Sequence, residues 1–213
     1  MEQKLIVDEL IKVIPFEGIS DATLLKVCTN LNLANSFCKF QNGIYSALEY
    51  IAENLNSSME AELRNSNLED MKVRERVKLA IQIRLSNYAK LPNYRECLKN
   101  VLSFSILPQN KYFSSKLLYK TVSTIWYGIY DQSTDFNYYT KRAILAGVYL
   151  STILFFINDY SEDFVDTLSF LDRRINNVMT FQKFKTRLKG IIRNFLQAFH
   201  HTGYLYSKII LFF

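Results

Sequence analysis

The chain of 213 residues is long enough for one domain with a small appendage, and its 49% apolar content is ordinary for a globular protein. Six glycines and three prolines are too few for most all-β folds, which need many turns, so composition favours long helices. The net charge of +6 is uneven, because residues 173–213 hold eight basic and no acidic residues. This asymmetry predicts that the C-terminal part binds an anionic surface, either a membrane or a nucleic acid.

Apolar residues recur at helical spacing along most of the chain. Proline, glycine and short polar stretches mark the breaks between these segments. The sequence therefore predicts an all-α protein with a degenerate helix-turn-helix-like part over 1–60, a helical body over 61–180 and a basic tail over 181–213. If each of these breaks ends a helix, helices are predicted over about residues 3–14, 21–31, 44–64, 69–90, 94–107, 114–130, 135–157, 161–180 and 181–200, with a brief segment near 34–39.

Residues with catalytic or metal-binding chemistry are sparse. The cysteines Cys28, Cys38 and Cys97 form no C-x-x-C pair and are interpreted as plain thiols. The two histidines, His200 and His201, are adjacent and do not share a helix face. Constellations of the Ser/His/Asp, metal or phosphate-loop type are also missing from the sequence. We therefore predict a protein that is not an enzyme and has no catalytic residue, metal or cofactor.

The front of the chain resembles the helix-turn-helix of the tetracycline-repressor (TetR) family. The resemblance is carried by Pro15–Ser20, by the helix from Asp21, and by Phe40, Gly43 and Ile44 before a long fourth helix. In that family the third helix enters the major groove of DNA. Here the matching stretch, Ala34–Lys39, offers one basic residue, so nucleic-acid binding is not expected. A ligand-responsive TetR-type transcriptional regulator is the alternative function.

Three longer motifs lie between residues 105 and 171. Residues 126–142 read W-Y-G-I-Y-D-Q-S-T-D-F-N-Y-Y-T-K-R, residues 159–171 read D-Y-S-E-D-F-V-D-T-L-S-F-L, and Ser105–Asn110 reads S-I-L-P-Q-N. Together these motifs resemble the coenzyme Q (ubiquinone) biosynthesis accessory lipid-binding family. The resemblance implies a TetR-like helical bundle with a C-terminal amphipathic helix. It also implies a non-catalytic protein that presents isoprenoid quinone precursors to a di-iron demethoxyubiquinone hydroxylase.

The resemblance also implies a tunnel for an isoprenoid or phospholipid ligand between the rear helices. A filled core is the alternative interpretation for each of these apolar residues, and a pure scaffold protein would hold no lipid at all. The residues expected to line the tunnel are Leu107, Trp126, Ile129, Tyr130, Ile144, Tyr149, Phe155 and Phe170.

The same resemblance implies a surface patch that binds the hydroxylase, around the start of the helix predicted over about residues 135–157. Tyrosine is a common interface anchor, and Tyr138 takes the place of the tryptophan usual in that family. Helix capping by Ser133 or Thr134 is the alternative role for the polar residues here. The residues expected to contact the partner are Asp131, Asn137, Tyr138 and Tyr139.

The helix predicted over 181–200 is amphipathic and cationic. Its apolar stripe opposes basic residues, which is typical of a helix lying in the plane of a membrane surface. The alternative is a helix that packs against its own domain or in a homodimer, and a homodimer is expected. The residues expected at the membrane are Phe184, Lys185, Arg187, Leu188, Ile191, Arg193, Phe195 and Phe199.

The N-terminal sequence has neither a signal peptide nor an Arg-rich transit pattern, and no run of about 18 apolar residues predicts a spanning helix. These features favour a peripheral protein at the cytoplasmic face of a bacterial inner membrane. For a eukaryotic protein, the matrix side of the mitochondrial inner membrane is the corresponding location.

Overall fold

The computed structural model describes residues 2–131 and 136–178, and every regular element in these ranges is helical. The chain divides into two units, residues 1–171 and 172–213, and the fold described below is that of the first. Its helices are α1 (Glu2–Glu17), α2 (Asp21–Asn30), a 3-10 helix (Ala34–Lys39), α3 (Ile44–Arg64), α4 (Val73–Ala89), α5 (Tyr94–Ile106), α6 (Lys111–Gly128) and α7 (Phe136–Phe156). Short 3-10 turns occupy Pro108–Asn110 and Glu162–Phe164, and helix α8 begins at residue 165.

Helix α1 continues three residues beyond its predicted end, because Pro15 lies in the last turn rather than at the stop. At that position the missing N–H of proline removes a single helix bond. Gly18 then ends the helix with φ +75°, and its N–H donates to the Ile14 carbonyl at 3.0 Å. The side chain of Asn100 on α5 also donates to the Ile14 carbonyl, at 3.0 Å.

Ser20 caps α2, since its hydroxyl accepts the Thr23 N–H at 3.1 Å. Asp21 caps a second helix: its carboxylate accepts the N–H of Ile44, the first residue of α3, at 2.7 Å. Gly43 adopts φ 57°, ψ −130°, and a Cβ there would lie 2.2 Å from the Asp21 Oδ1 atom. Glycine is therefore required at the point where α2 and α3 meet.

Helices α1, α2 and the start of α3 share one hydrophobic core with α5. Helix α3 runs without a break across the predicted boundary between residues 60 and 61 and ends at the polar stretch 65–67, as the sequence indicates. The front of the chain thus packs as part of the first unit. The core residues are Ile6, Val7, Leu10, Ile11, Ile14, Leu24, Val27, Cys28, Phe40, Ile44, Ala47, Leu48 and Cys97.

Helix α4 begins at Val73, four residues later than predicted. The residues before it form a turn that Arg76 holds, donating to the carbonyls of Met71 at 2.9 Å and Glu69 at 3.3 Å. The helix then packs against α3, α6 and α7.

The Ser105–Asn110 motif links three helices. The Asn110 side chain is buried, accepts the Tyr45 hydroxyl at 2.7 Å and donates to the Phe104 carbonyl at 2.8 Å. The Tyr45 ring packs edge-on against Phe113, with 5.0 Å between the ring centroids. This motif therefore fixes the turn between α5 and α6 against α3.

The turn between α7 and α8 is organised by Asp159, which is 4% exposed. One carboxylate oxygen accepts the N–H and hydroxyl of Ser161 at 2.8 and 2.6 Å. The other accepts the N–H and hydroxyl of Thr167 at 2.8 and 2.5 Å. The Asp159 carbonyl accepts from Arg95 at 2.6 Å, which ties the turn to α5. The D-x-S-x-D-x-x-x-T motif thus forms a helix-capping network.

Of the second unit, residues 172–178 are described, and they are helical. Within the described part of the chain, none of the helices combines the length and apolar character needed to cross a membrane.

Candidate ligand-binding cavity

A cavity of about 490 Å³ lies within the first unit, bounded by α1 and α3–α7. Its volume falls in the range of about 300–1,000 Å³ usual for small-molecule sites. Most of the lining is aliphatic or aromatic. The principal apolar contributors are Ile11 and Ile14 of α1; Leu48, Ile51, Ala52 and Leu55 of α3; Leu98, Val101, Leu102, Phe104 and Ile106 of α5; Phe113, Leu117 and Leu118 of α6; and Leu150, Ile153 and Leu154 of α7.

Exposure changes along the lining. Ile106 is 73% exposed and Leu154 is 56% exposed, whereas Ile14 and Ile153 are buried. The exposed side chains therefore mark a mouth, and the cavity extends inward from an apolar rim.

Three polar side chains meet at the buried end of the cavity. The Tyr88 and Tyr149 hydroxyls are 2.9 Å apart, and the Arg84 guanidinium lies 5.0 Å from the centroid of the Tyr88 ring. Burial raises the pKa of the Tyr149 phenol well above its ordinary value, so the phenol is neutral at pH 7. A ligand in this cavity would thus meet hydrocarbon over most of its length and a hydrogen-bonding group at one end.

Of the eight residues predicted to bind lipid, Tyr149 lines this cavity. Trp126 and Ile129 are buried elsewhere in the bundle, and Tyr130 is 64% exposed. Leu107 is exposed and follows the rim residue Ile106. The cavity lining also does not include Ile144, Phe155 or Phe170. Ile144 is half-buried, and Phe155 stacks on Phe170 with 4.6 Å between ring centroids.

The sequence interpretation missed the contributions of α3, α5 and Arg84. One signal was available, because Arg84 continues the apolar stripe formed by Val77, Ala80 and Ile81 and precedes Tyr88 by four residues. A cation on the buried face of a helix indicates a special environment. Helical spacing in the sequence indicates the apolar face of α3, but it does not indicate that this face borders a cavity.

The predicted partner patch contains a cluster of tyrosines. The Tyr138 hydroxyl lies 3.2 Å from the Tyr119 hydroxyl and 3.0 Å from the Tyr127 hydroxyl. These hydrogen bonds raise the pKa of the Tyr138 phenol. Its ring is covered by Arg142, whose guanidinium carbon is 3.3 Å from the ring centroid. Tyr138 is thus held by its neighbours, whereas Tyr139 is 71% exposed.

Asp131 joins the ends of two helices. Its side chain is 12% exposed and accepts from Lys141 at 2.6 Å, and the Lys141 ammonium lies 5.2 Å from the centroid of the Trp126 ring. This ion pair connects α6 to α7 and gives Asp131 a structural role. The side chain of Asn137 lies outside the described residues, and partner binding at this patch stays a prediction.

All eight predicted membrane residues fall between 184 and 199, outside the described residues. The described ranges contain no group of three or more His, Cys, Asp or Glu side chains able to hold a metal ion. The three cysteines are free thiols, with Cys28 and Cys97 buried and Cys38 exposed.

The segment in the position of a recognition helix is the six-residue 3-10 helix Ala34–Lys39. Its single base, Lys39, forms an ion pair with Glu2, whose carboxylate also accepts the Ser36 hydroxyl at 2.6 Å. A cation already engaged with a carboxylate is poorly placed to neutralise DNA phosphate.

Comparison with solved structures identifies the architecture. The TetR transcriptional regulator from Nitrosomonas europaea superposes with a TM-score of 0.64 at 17% identity, covering 82% of this chain and 96% of that one. The chain is therefore an all-α protein with a TetR-like fold that encloses an interhelical cavity, as the sequence predicts for the fold.

Comparison of sequences finds similarity to COQ9 proteins. The COQ9 family model matches residues 112–182. The protein named "Ubiquinone biosynthesis protein COQ9, mitochondrial" from Rattus norvegicus is 42% identical over 109 residues, or 49% of this chain and 35% of the relative. A probable coq9 protein from Dictyostelium discoideum is 32% identical over 62% of this chain and 42% of the relative. The chain is similar to COQ9 proteins over these stretches, and its matches span about a third to two fifths of the length of these relatives.

Proposed function

We propose that this chain is a non-catalytic lipid-binding accessory protein of ubiquinone biosynthesis. The cavity in the TetR-like body is the observation that carries the proposal, because its apolar lining suits a long hydrocarbon ligand. The names of the curated COQ9 relatives supply the pathway. The ligand in this proposal is an isoprenoid quinone precursor or a phospholipid, and each buried CH₂ group adds about 0.8 kcal/mol to its binding.

The exposed apolar rim supports exchange of such a ligand with a bilayer. Ile106 and Leu154 present hydrocarbon at the mouth, where a lipid tail leaving a membrane would first make contact. In the proposed cycle the cationic tail docks on the membrane, and the body takes up the lipid. The lipid is then presented to a di-iron demethoxyubiquinone hydroxylase, with Tyr139 as the exposed anchor of the predicted patch.

The proposed location is the surface of the membrane that holds the quinone. Because the curated relatives are named as mitochondrial proteins, the matrix side of the mitochondrial inner membrane is the first site to examine. The cytoplasmic face of a bacterial inner membrane is the equivalent site. The expected homodimer belongs to the same proposal.

Cavity filling tests lipid binding. Ala52 faces the cavity from α3, whereas Asn54, two residues later, is exposed. Binding of a fluorescent apolar probe, displaced by a short-chain ubiquinone analogue, should weaken about tenfold or more in Ala52→Trp, a change of about 1.4 kcal/mol. The matched variant Asn54→Trp should bind like the unmodified chain. If neither ligand binds the unmodified chain, or if Ala52→Trp binds both normally, the lipid-binding proposal fails.

A further inference from the structure

Arg84 is a buried cation at the inner end of the cavity. It is 2% exposed, lies on the apolar face of α4 and lines the cavity. Its Nε and Nη1 atoms have no hydrogen-bond partner among the described residues. Because buried donors in folded proteins are almost always satisfied, these two groups are available to a bound molecule.

The neighbours of Arg84 supply no negative charge. Tyr88 and Tyr149 are the titratable groups that act on the guanidinium; burial opposes its charge, the phenol oxygens favour it, and the net effect raises the pKa of Arg84. Both partners are phenols, and Tyr149 is held in its neutral form. Among the described residues that line the cavity there is neither Asp nor Glu, and the other cation, Lys111, is exposed.

A buried charge without a counter-charge is costly to the folded protein. Arg84 is one of the residues that line the cavity, so its side chain lies beside the space that a ligand would occupy. Oxyanions are the preferred partners of arginine, because the contact is both ionic and hydrogen-bonded. The hydrocarbon lining toward the mouth then suits the remainder of the same molecule.

We propose that the cavity binds a single-chain amphiphile head-first, with an oxyanion head, carboxylate or phosphate monoester, on Arg84 and the tail directed toward Ile106 and Leu154. This inference rests on the proposed lipid-binding function and adds the head-group class and the orientation of the ligand. In the hydrogen-bonded pair of Tyr88 and Tyr149, the hydroxyl that accepts from the other keeps its own O–H free to donate to the head.

The test compares three ligands of equal chain length: dodecanoate, dodecyl phosphate and dodecanol. Binding to the full chain is measured by displacement of a neutral apolar probe. We expect one of the two anions to bind at least about tenfold more tightly than dodecanol, because hydrogen bonds to charged groups contribute enough for that ratio. The anion that binds more tightly identifies the head group. This comparison uses the unmodified chain and does not depend on any variant folding.

Variants on α4 locate the effect. Arg84→Met should remove the preference for the anion over dodecanol, while Arg84→Lys should retain part of the preference. Arg74→Met is the matched control, because Arg74 is exposed on the same helix and should change neither ligand.

The outcomes separate the two proposals. Equal binding of anions and alcohol, or an anion preference that survives Arg84→Met, overturns the head-group inference while lipid binding stands. If none of the three ligands displaces the probe, and the probe itself does not bind, the proposed function fails together with the inference.

Discussion

Asp159 offers a quantitative prediction of stability, because one buried carboxylate accepts four hydrogen bonds at the start of α8. Asp159→Asn preserves the size of the side chain but replaces one acceptor oxygen with a donor NH₂ group. That NH₂ group would face the N–H and hydroxyl of Ser161 or of Thr167. We therefore expect the variant to lose one side of the network and to leave buried donors unsatisfied.

The magnitude follows from the pKa of Asp159. Burial alone would raise this pKa, but the hydrogen bonds from Ser161 and Thr167 outweigh it and lower the pKa from 3.8 to about 2. That shift corresponds to about 2 kcal/mol of folding free energy. Since the folded state holds the carboxylate ionised, the contribution is complete above pH 4 to 5 and declines as the pH falls toward 2.

Urea unfolding followed by circular dichroism provides the assay. At pH 7 Asp159→Asn should lower the free energy of unfolding by about 2 kcal/mol, or the melting temperature by roughly 4–8 °C. The difference should narrow at pH 3. Asp166→Asn, an exposed neighbour on α8, is the control and should change stability by less than about 0.5 kcal/mol. Equal effects of the two variants, or a difference that does not depend on pH, would refute this reasoning.

Three further predictions concern the scaffold. Gly43→Ala should cost about 1–3 kcal/mol in urea unfolding, because its backbone conformation favours glycine and the new Cβ displaces the Asp21 carboxylate; a neutral effect would contradict the requirement for glycine. Asn110→Ala removes two buried hydrogen bonds and should lower the free energy of unfolding by about 2–4 kcal/mol. A variant as stable as the unmodified chain would contradict this prediction. Burial raises the pKa of Cys97 to about 11, so at pH 8 a thiol reagent should label exposed Cys38 first and Cys97 only after unfolding; equal labelling rates in the folded protein would be inconsistent with this burial.

Helix boundaries were predicted best where the sequence contains an explicit stop. The predicted and observed limits of α3 coincide, because Gly43 and the polar residues after Arg64 leave little choice. The end of α1 was predicted too early, since Pro15 is tolerated in the last turn of a helix. The cap at Ser20 agrees with the residue types preferred at helix starts, because the capping preference is local.

The cavity could not be derived from helical periodicity. Periodicity gives the apolar face of each helix, such as the face of α3 that carries the cavity-lining residues Leu48, Ile51 and Leu55. Whether facing side chains fill the space between helices depends on how the helices pack, which is a tertiary property. For this reason Trp126 and Ile129 were predicted to bind lipid, although they pack away from the cavity.

The lipids that accompany the purified protein provide the most direct measurement of whether the cavity serves as a lipid site. Organic extraction and mass spectrometry should recover a long apolar molecule in near-stoichiometric amount from the full chain and from Asn54→Trp, and much less from Ala52→Trp. Equal trace amounts in all three preparations would contradict lipid binding and would leave the cavity as an unused gap in the helical bundle.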